Sequence, residues 1–247
     1  MSRTPPERAS RHTHDPLRMR DLLPRKVAGL PPGQREIRAF PRFSDKPLRW
    51  APKPAPIELT VAIEGRPIEV YADADLARFA HVDQVTDFHC VTTWTRRGVQ
   101  WGGIRFSELA RAAVGPELPR HLTAYAADHQ SAVFLTADLD AENVLLATEL
   151  DGAPLDPRHG APLRLVSPGQ YGYKNVKHLV MIDFCEAEPP STLGSKEHLR
   201  ARVVAEERHA SLPNWAVRIP YRLSIGPTAL AAERGLRRSP GHHEAGR

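Results

Sequence analysis

Two stretches of this 247-residue chain hold side chains whose types and spacing could do chemistry. The first is TDFHCVTTWTRRGVQWGG, residues 86–103, around Cys90, one of two cysteines in the sequence. Cys90 follows the run Val85 to His89, which reads as a strand end, and Arg96 and Arg97 follow in a turn. A cysteine at such a transition, with cationic side chains near it, can sit as a thiolate and bind a soft metal. The second stretch is HGAPLRLVSPGQYGYKNVKHLVMIDF, residues 159–184. There His159, Arg164, Lys174, Asn175 and Lys177 are donors of the kind a bound phosphate requires. Each also has a plainer reading: an inert buried thiol, an arginine on an outward strand face, two solvated lysines. Cys185, at the end of LVMIDFC, reads as a packed or surface thiol.

The order of these residues is more specific than any one of them. Cys90, Trp94 and Trp101-Gly102-Gly103-Ile104 are followed by His159-Gly160-Ala161-Pro162-Leu163-Arg164 and a loop from Pro168 to Lys177. Over roughly residues 33–187 this pattern resembles the molybdopterin-binding domain of the sulfite oxidase family, and within it the soluble bacterial sulfite oxidase-like oxidoreductases. The resemblance implies an α+β, mixed-sheet fold of the sulfite-oxidase type, with short helices around β-sheets. It implies molybdopterin and molybdenum as cofactors, with the Cys90 thiolate as the protein's metal ligand and catalytic residue. By the same likeness Arg38, Pro41, Arg42, His89, His159, Arg164, Lys174, Asn175, Val176 and Lys177 would contact the cofactor. By that likeness Trp94 stands where sulfite oxidases hold their anionic substrate with an arginine, and Arg96 and Arg97, within three residues, either substitute for it or face water. The implied activity is two-electron oxygen-atom transfer to or from a small sulfite-, sulfoxide- or N-oxide-like substrate. An external electron-transfer partner would complete the cycle, because the chain carries no haem, flavin or iron–sulfur ligand set. A non-catalytic molybdopterin carrier with the same site is the alternative.

Composition narrows the rivals. Hydrophobic residues make up 41% and charged residues 26%, ordinary values for a globular chain. No apolar run approaches the ~20 residues of a membrane span. The basic N-terminus has no apolar stretch behind it, so a secretory signal is not expected. Two widely separated cysteines suit a reducing compartment, and the expected location is the cytoplasm. Charge is uneven: 12 basic against 5 acidic residues over 1–50, 12 against 19 over 51–195, and 10 against 5 over 196–247. Basic ends can bind nucleic acid, but no nucleic-acid module is recognisable and solvated tails are the expectation. A cysteine hydrolase built on Cys90 would need a histidine at fixed spacing, and none stands out.

The elements that must position these residues follow from local pattern. Residues 1–32, rich in Arg, Pro and His, read as a disordered basic segment. Residues 33–190 read as the molybdopterin-binding domain, and 191–247 as a basic extension packing on or trailing it. IELTVAIEGRPIEVY, residues 57–71, is a hairpin pattern with its turn at Glu64–Pro67. DADLARFA, 73–80, reads as a helix with Asp73 as N-cap, and FSELARAA, 106–113, as one capped by Ser107. Strands are expected at 122–126, 131–136, within 137–152, and on each side of the loop after Pro168. No β-α-β rhythm appears, which argues for α+β and against a Rossmann fold.

Overall fold

Period-two alternation of apolar residues dominates the sequence, and the elements that form are accordingly strands with short helices between them. The computed structural model describes residues 18–42, 51–53 and 55–237, so the disorder expected for residues 1–17 lies outside the described residues. In chain order the elements are β1 (Arg35–Glu36), β2 (Glu58–Ile63), β3 (Arg66–Ala72), α1 (Asp73–Leu76), β4 (His81–His89) and β5 (Trp94–Arg105). Then come α2 (Phe106–Val114), β6 (His121–Ala126), β7 (Ser131–Leu135), α3 (Thr136–Leu139), β8 (Leu145–Leu150) and β9 (Ala153–Pro154). The chain continues through β10 (Arg164–Val166), β11 (Leu179–Cys185), α4 (Asn214–Leu223) and α5 (Ile225–Arg237).

One sheet runs β1-β5-β8-β10, with β4 also on β5 and β9 on β8; the other runs β3-β2-β11-β6-β7. The β1–β5 and β2–β11 pairs are parallel and the others antiparallel, so both sheets are mixed and the fold is α+β. The β2–β3 hairpin forms at the expected turn, where Glu64 and Gly65 both take positive φ, 50° and 73°. That matches the right-handed twist of the paired strands.

The run LLATEL of β8 is apolar at successive positions because the first sheet is covered on both faces. Leu146 and Leu165 face the core shared with β2, β6 and β11, while Leu145, Ala147 and Val166 face a second cluster holding Trp94 and Trp101. Ile225 and Ala229 of α5 belong to that second cluster. Each large side chain so buried contributes about 1.5–3 kcal/mol. The central pair β5–β8 also needs Gly103: a Cβ there would lie 2.2 Å from the Leu146 carbonyl oxygen. Absence of a side chain is what lets the strands close.

Two local expectations are corrected. Asp73 is not an N-cap; its Oδ2 accepts from the Ile57 amide at 3.0 Å, while Asp75 Oδ2 accepts from the Ala72 amide at 2.9 Å. The helix it opens stops at Leu76. In α2 the N-cap is Arg105, and Ser107 lies inside the first turn and buried. Residues within 18–32 contact the rest of the chain. Leu22 packs in the Trp94 cluster, and Arg25 exchanges backbone hydrogen bonds with Glu36 at 2.8 and 2.9 Å. On the C-terminal side, Ile225 and Ala229 of α5 pack in the same cluster.

Candidate active site

Cys90 occupies the turn that joins β4 to β5. Its amide donates to the Trp94 carbonyl at 2.8 Å and its carbonyl accepts from the Thr93 amide at 3.1 Å, with Thr93 at φ 74°. From outside the turn, Gln34 Nε2 donates to the Cys90 carbonyl at 3.1 Å. The Gln34 Oε1 accepts from Thr95 Oγ1 at 3.1 Å, and Thr95 Oγ1 in turn lies 2.9 Å from His89 Nδ1. Because the threonine proton is spent on Gln34, His89 Nδ1 is the donor to Thr95. His89 therefore braces the back of the turn, on the side of the strand away from Cys90.

The Cys90 sulfur, on a residue 5% exposed, lies 3.2 Å from Thr92 Oγ1. Burial pushes the thiol pKa up, and the Thr92 hydrogen bond with the Arg208 charge pulls partly the other way. Left alone it stays a thiol; ligation by a cation would hold it as thiolate. The sulfur opens onto a cavity of about 400 Å³ whose walls include Pro41, Arg42, His159, Arg164, Asn175 and Lys177.

Each wall residue is held by the fold. Arg164, on β10, sends Nη1 to the His159 carbonyl at 2.8 Å and Nη2 to the Asn175 carbonyl at 3.2 Å. Its guanidinium lies 4.8 Å from the Trp101 ring centroid, and among the described residues its Nε has no hydrogen-bond partner. Burial pulls its pKa down to about 9, with Asp156 opposing. The Asn175 side chain pins the Ser167–Tyr171 loop, accepting from the Ser167 amide at 2.8 Å. His159 Nε2 donates to the Phe40 carbonyl at 3.1 Å while Nδ1 lies 3.0 Å from Asp156 Oδ1. Arg42 reaches the Ala232 carbonyl of α5 at 3.2 Å. Glycines set the close approaches: a Cβ on Gly172 would lie 2.7 Å from the Phe88 ring, and one on Gly160 2.8 Å from Lys177 Cβ.

Four expected residues are not on this wall. The Lys174 ammonium points away, to the Val133 carbonyl and to Glu197 at 2.8 Å, fully buried. Val176 is core, its carbonyl accepting from the Leu165 amide. Arg38 is exposed, and its amide is bonded to the Asp21 carbonyl. His89 stands behind the turn as described. Of the arginines near Trp94, Arg96 is buried within β5 and Arg97 faces Asp87 at 3.6 Å. Wall residues that sequence reasoning missed include Phe88, Arg158, Tyr173, Lys196 and Tyr221. Phe88 and Arg158 adjoin the motif residues His89 and His159, a signal that was available; Tyr221 carried none.

A sulfur donor and buried cations lining one cavity suit a soft metal carried on an anionic organic group. Arg164 is the sharpest sign. Its hydrogen bonds go to carbonyls and its Nε is unsatisfied, so a buried positive charge is left to meet an anion.

A family model described as "Oxidoreductase molybdopterin binding domain" matches residues 50–193. The chain belongs to this family. The family's cofactor is the one that this donor set fits. The chain is similar to the "Uncharacterized oxidoreductase YuiH" of Bacillus subtilis, 34% identical over 116 residues, which are 47% of this chain and 59% of that protein. It is also similar to "Protein-methionine-sulfoxide reductase catalytic subunit MsrP" of Campylobacter jejuni, 30% identical over 135 residues, with coverages of 48% and 45%. The solved sulfane dehydrogenase SoxCD of Paracoccus pantotrophus aligns at 21% identity and TM-score 0.49, over 68% of this chain and 48% of that one. The chain spans about half the length of the curated relatives it matches. Phe40, Pro41 and Arg42 before the matched span, and Lys196 and Tyr221 after it, also line the cavity.

Proposed function

We propose that the chain is a molybdopterin-dependent oxidoreductase in which the Cys90 thiolate ligates molybdenum and an oxygen atom passes to or from a small sulfite-, sulfoxide- or N-oxide-like substrate. The observation that carries this reading is that the Cys90 sulfur and the Arg42, Arg164 and Lys177 side chains share one cavity. When bound, the cofactor supplies a two-electron redox couple.

The chain's own residues would do the rest by positioning and charge. Arg164 and Lys177 would neutralise the anionic end of the cofactor, and Asn175, already spent on the Ser167 loop, would keep its backbone shaped for it. His159 would tie the segment at Phe40 to the one at Asp156. Phe88 and Trp94, with rings 5.8 Å apart, would keep water from the sulfur side, which strengthens every charge interaction there. Electrons would come from or go to a separate redox partner. Similarity to a named methionine-sulfoxide reductase subunit supports a sulfoxide among the candidate substrates.

Elemental analysis tests the core of this reading, on wild type and Cys90→Ala from a host that makes the cofactor. About one molybdenum per wild-type chain, with the variant's metal content or electronic spectrum changed, is the expected result. Wild-type protein that retains neither molybdenum nor pterin sinks it.

A further inference from the structure

The family-matched span ends at residue 193, yet Lys196 and Tyr221 of the segment beyond it line the Cys90 pocket. Arg208, fully buried, donates Nη1 to the Val91 carbonyl at 2.6 Å, one residue from Cys90, and Nη2 to the Pro32 carbonyl at 3.1 Å. Glu206 binds Arg208 and Arg218 together, and both charges sit against Gly33, where a Cβ would lie 2.6 Å from Glu206 Oε1. Arg222 adds bonds to Thr93 Oγ1 and the Gly33 carbonyl, each at 3.3 Å. On α5, Glu233 holds the wall residue Arg158 at 3.0 Å. Helix α4 is thus tied to Glu206 through Arg218 and to the Cys90 turn through Arg222, and what it presents to the cavity is Tyr221.

The lining of the cavity mixes two chemistries. Arg42, Arg164 and Lys177 bring cations, with the Arg164 guanidinium 5.7 Å from the Phe88 ring centroid, while Phe88, Val91 and Tyr221 bring apolar and aromatic surface. The cations suit the anionic cofactor, which leaves Tyr221, an uncharged polar group lining the same cavity as Cys90, to meet a substrate. Tyr221 is half-buried, and among the described residues its hydroxyl has no hydrogen-bond partner; its backbone carbonyl accepts from Ser224 Oγ at 2.7 Å and from the Ser224 amide at 3.2 Å. A phenol has an apolar face and one donor, enough to admit a compact oxygen-bearing molecule and to bond its oxygen.

We propose that Tyr221 is the substrate-specificity residue of this pocket: its ring limits the size of the group entering beside Cys90, and its hydroxyl donates to the substrate oxygen. This rests on the oxidoreductase reading above.

Two measurements separate the claims. In full-length protein made without cofactor, on a Cys185→Ser background, the rate of Cys90 alkylation is measured with iodoacetamide and with the bulkier N-ethylmaleimide. Tyr221→Ala raises the maleimide rate about tenfold, since thiol reactivity follows exposure, and Tyr221→Trp lowers it. In cofactor-loaded protein with a reduced viologen dye as electron donor, KM and kcat are measured on dimethyl sulfoxide and on methyl phenyl sulfoxide. Tyr221→Ala improves the ratio of kcat/KM for the bulky over the compact substrate about tenfold, the scale of one pocket contact. Tyr221→Phe raises KM for both with little change in kcat or in melting temperature. Alkylation rates and substrate ratios that ignore residue 221 overturn the proposal, even where the protein holds molybdenum. Loss of the oxidoreductase reading shows instead as absent molybdenum, and the alkylation rates then still decide whether Tyr221 walls off Cys90.

Discussion

Lys174 Nζ lies 2.8 Å from Glu197 Oε1, and the two side chains are 0% and 2% exposed. Burial alone would raise the Glu197 carboxyl, but Lys174 and donors from Val133 and Ser191 hold it low; burial pulls Lys174 down while Glu197 opposes. The pair ties the segment after β11 to the edge strand β7, through Val133. Removing one partner leaves a buried charge alone. Glu197→Gln should therefore cost about 3–5 kcal/mol in urea unfolding, and Lys174→Met with Glu197→Leu should recover most of it. A loss below about 1 kcal/mol for the single variant, the level of an exposed pair, would show the pair is not closed to water.

His178 gives a pH signature. Burial pulls its pKa down to about 4, although its Nδ1–H donates to the Ala161 carbonyl at 2.7 Å. The folded imidazole stays neutral where the unfolded one, near 6.5, takes a proton. Stability is therefore full above about pH 6.5 and falls as pH drops toward 4, with this residue contributing a slope of up to about 1.4 kcal/mol per unit. His178→Asn should flatten the unfolding free energy between pH 6.5 and 4; an unchanged slope would assign the loss to other groups.

Gly103 and Gly169 offer a matched contrast. A Cβ at 103 meets the Leu146 backbone at 2.2 Å, whereas one at 169 meets nothing within 4 Å. Gly103→Ala should lower stability by about 1–3 kcal/mol or more, with β5 and β8 forced apart. Gly169→Ala should be neutral or slightly stabilising, through the unfolded chain. Melting curves of the two variants are sufficient to check this, and equal losses would refute the account of the β5–β8 approach.

Arg164 should be irreplaceable by lysine. A guanidinium spans the His159 and Asn175 carbonyls and still stacks on Trp101; an ammonium reaches one of them. Arg164→Lys should cut pterin retention at least about tenfold, the range seen when a supporting contact of a bound group is lost. Fluorescence of the released pterin per mole of protein measures it, and wild-type retention in the variant would remove Arg164 from the cofactor's contacts.

What was legible in the sequence was local or ordered. The β2–β3 hairpin showed in alternation and in the Glu64-Gly65 turn, because both are set by neighbours along the chain. Cys90, His159, Arg164, Asn175 and Lys177 converge on one cavity, and their motif spacing had grouped them. What escaped notice is long-range. The short 3₁₀ turn Gly172–Lys174 breaks the strand period, so nothing in the sequence shows that Lys174 turns toward Glu197 while Lys177 turns to the cavity. Asp73 looked like a cap until the Ile57 amide, 16 residues away, claimed its carboxylate. Tyr221 is one of five tyrosines, with no neighbour in sequence to mark it.

The Cys90 turn is closed by bonds that reach far along the chain: Gln34 from 56 residues before it, Arg208 onto Val91 across 117, and Arg222 onto Gly33 across 189. Contacts of such separation form late, because their loop entropy must be met before they reward the chain. A nascent polypeptide on the ribosome has β4 and β5 long before it has α4. The surroundings of Cys90 are therefore among the last things this molecule builds, and a ligand that needs them would be accepted by finished protein alone. Occupancy of the pocket would serve as a record that folding had reached its end.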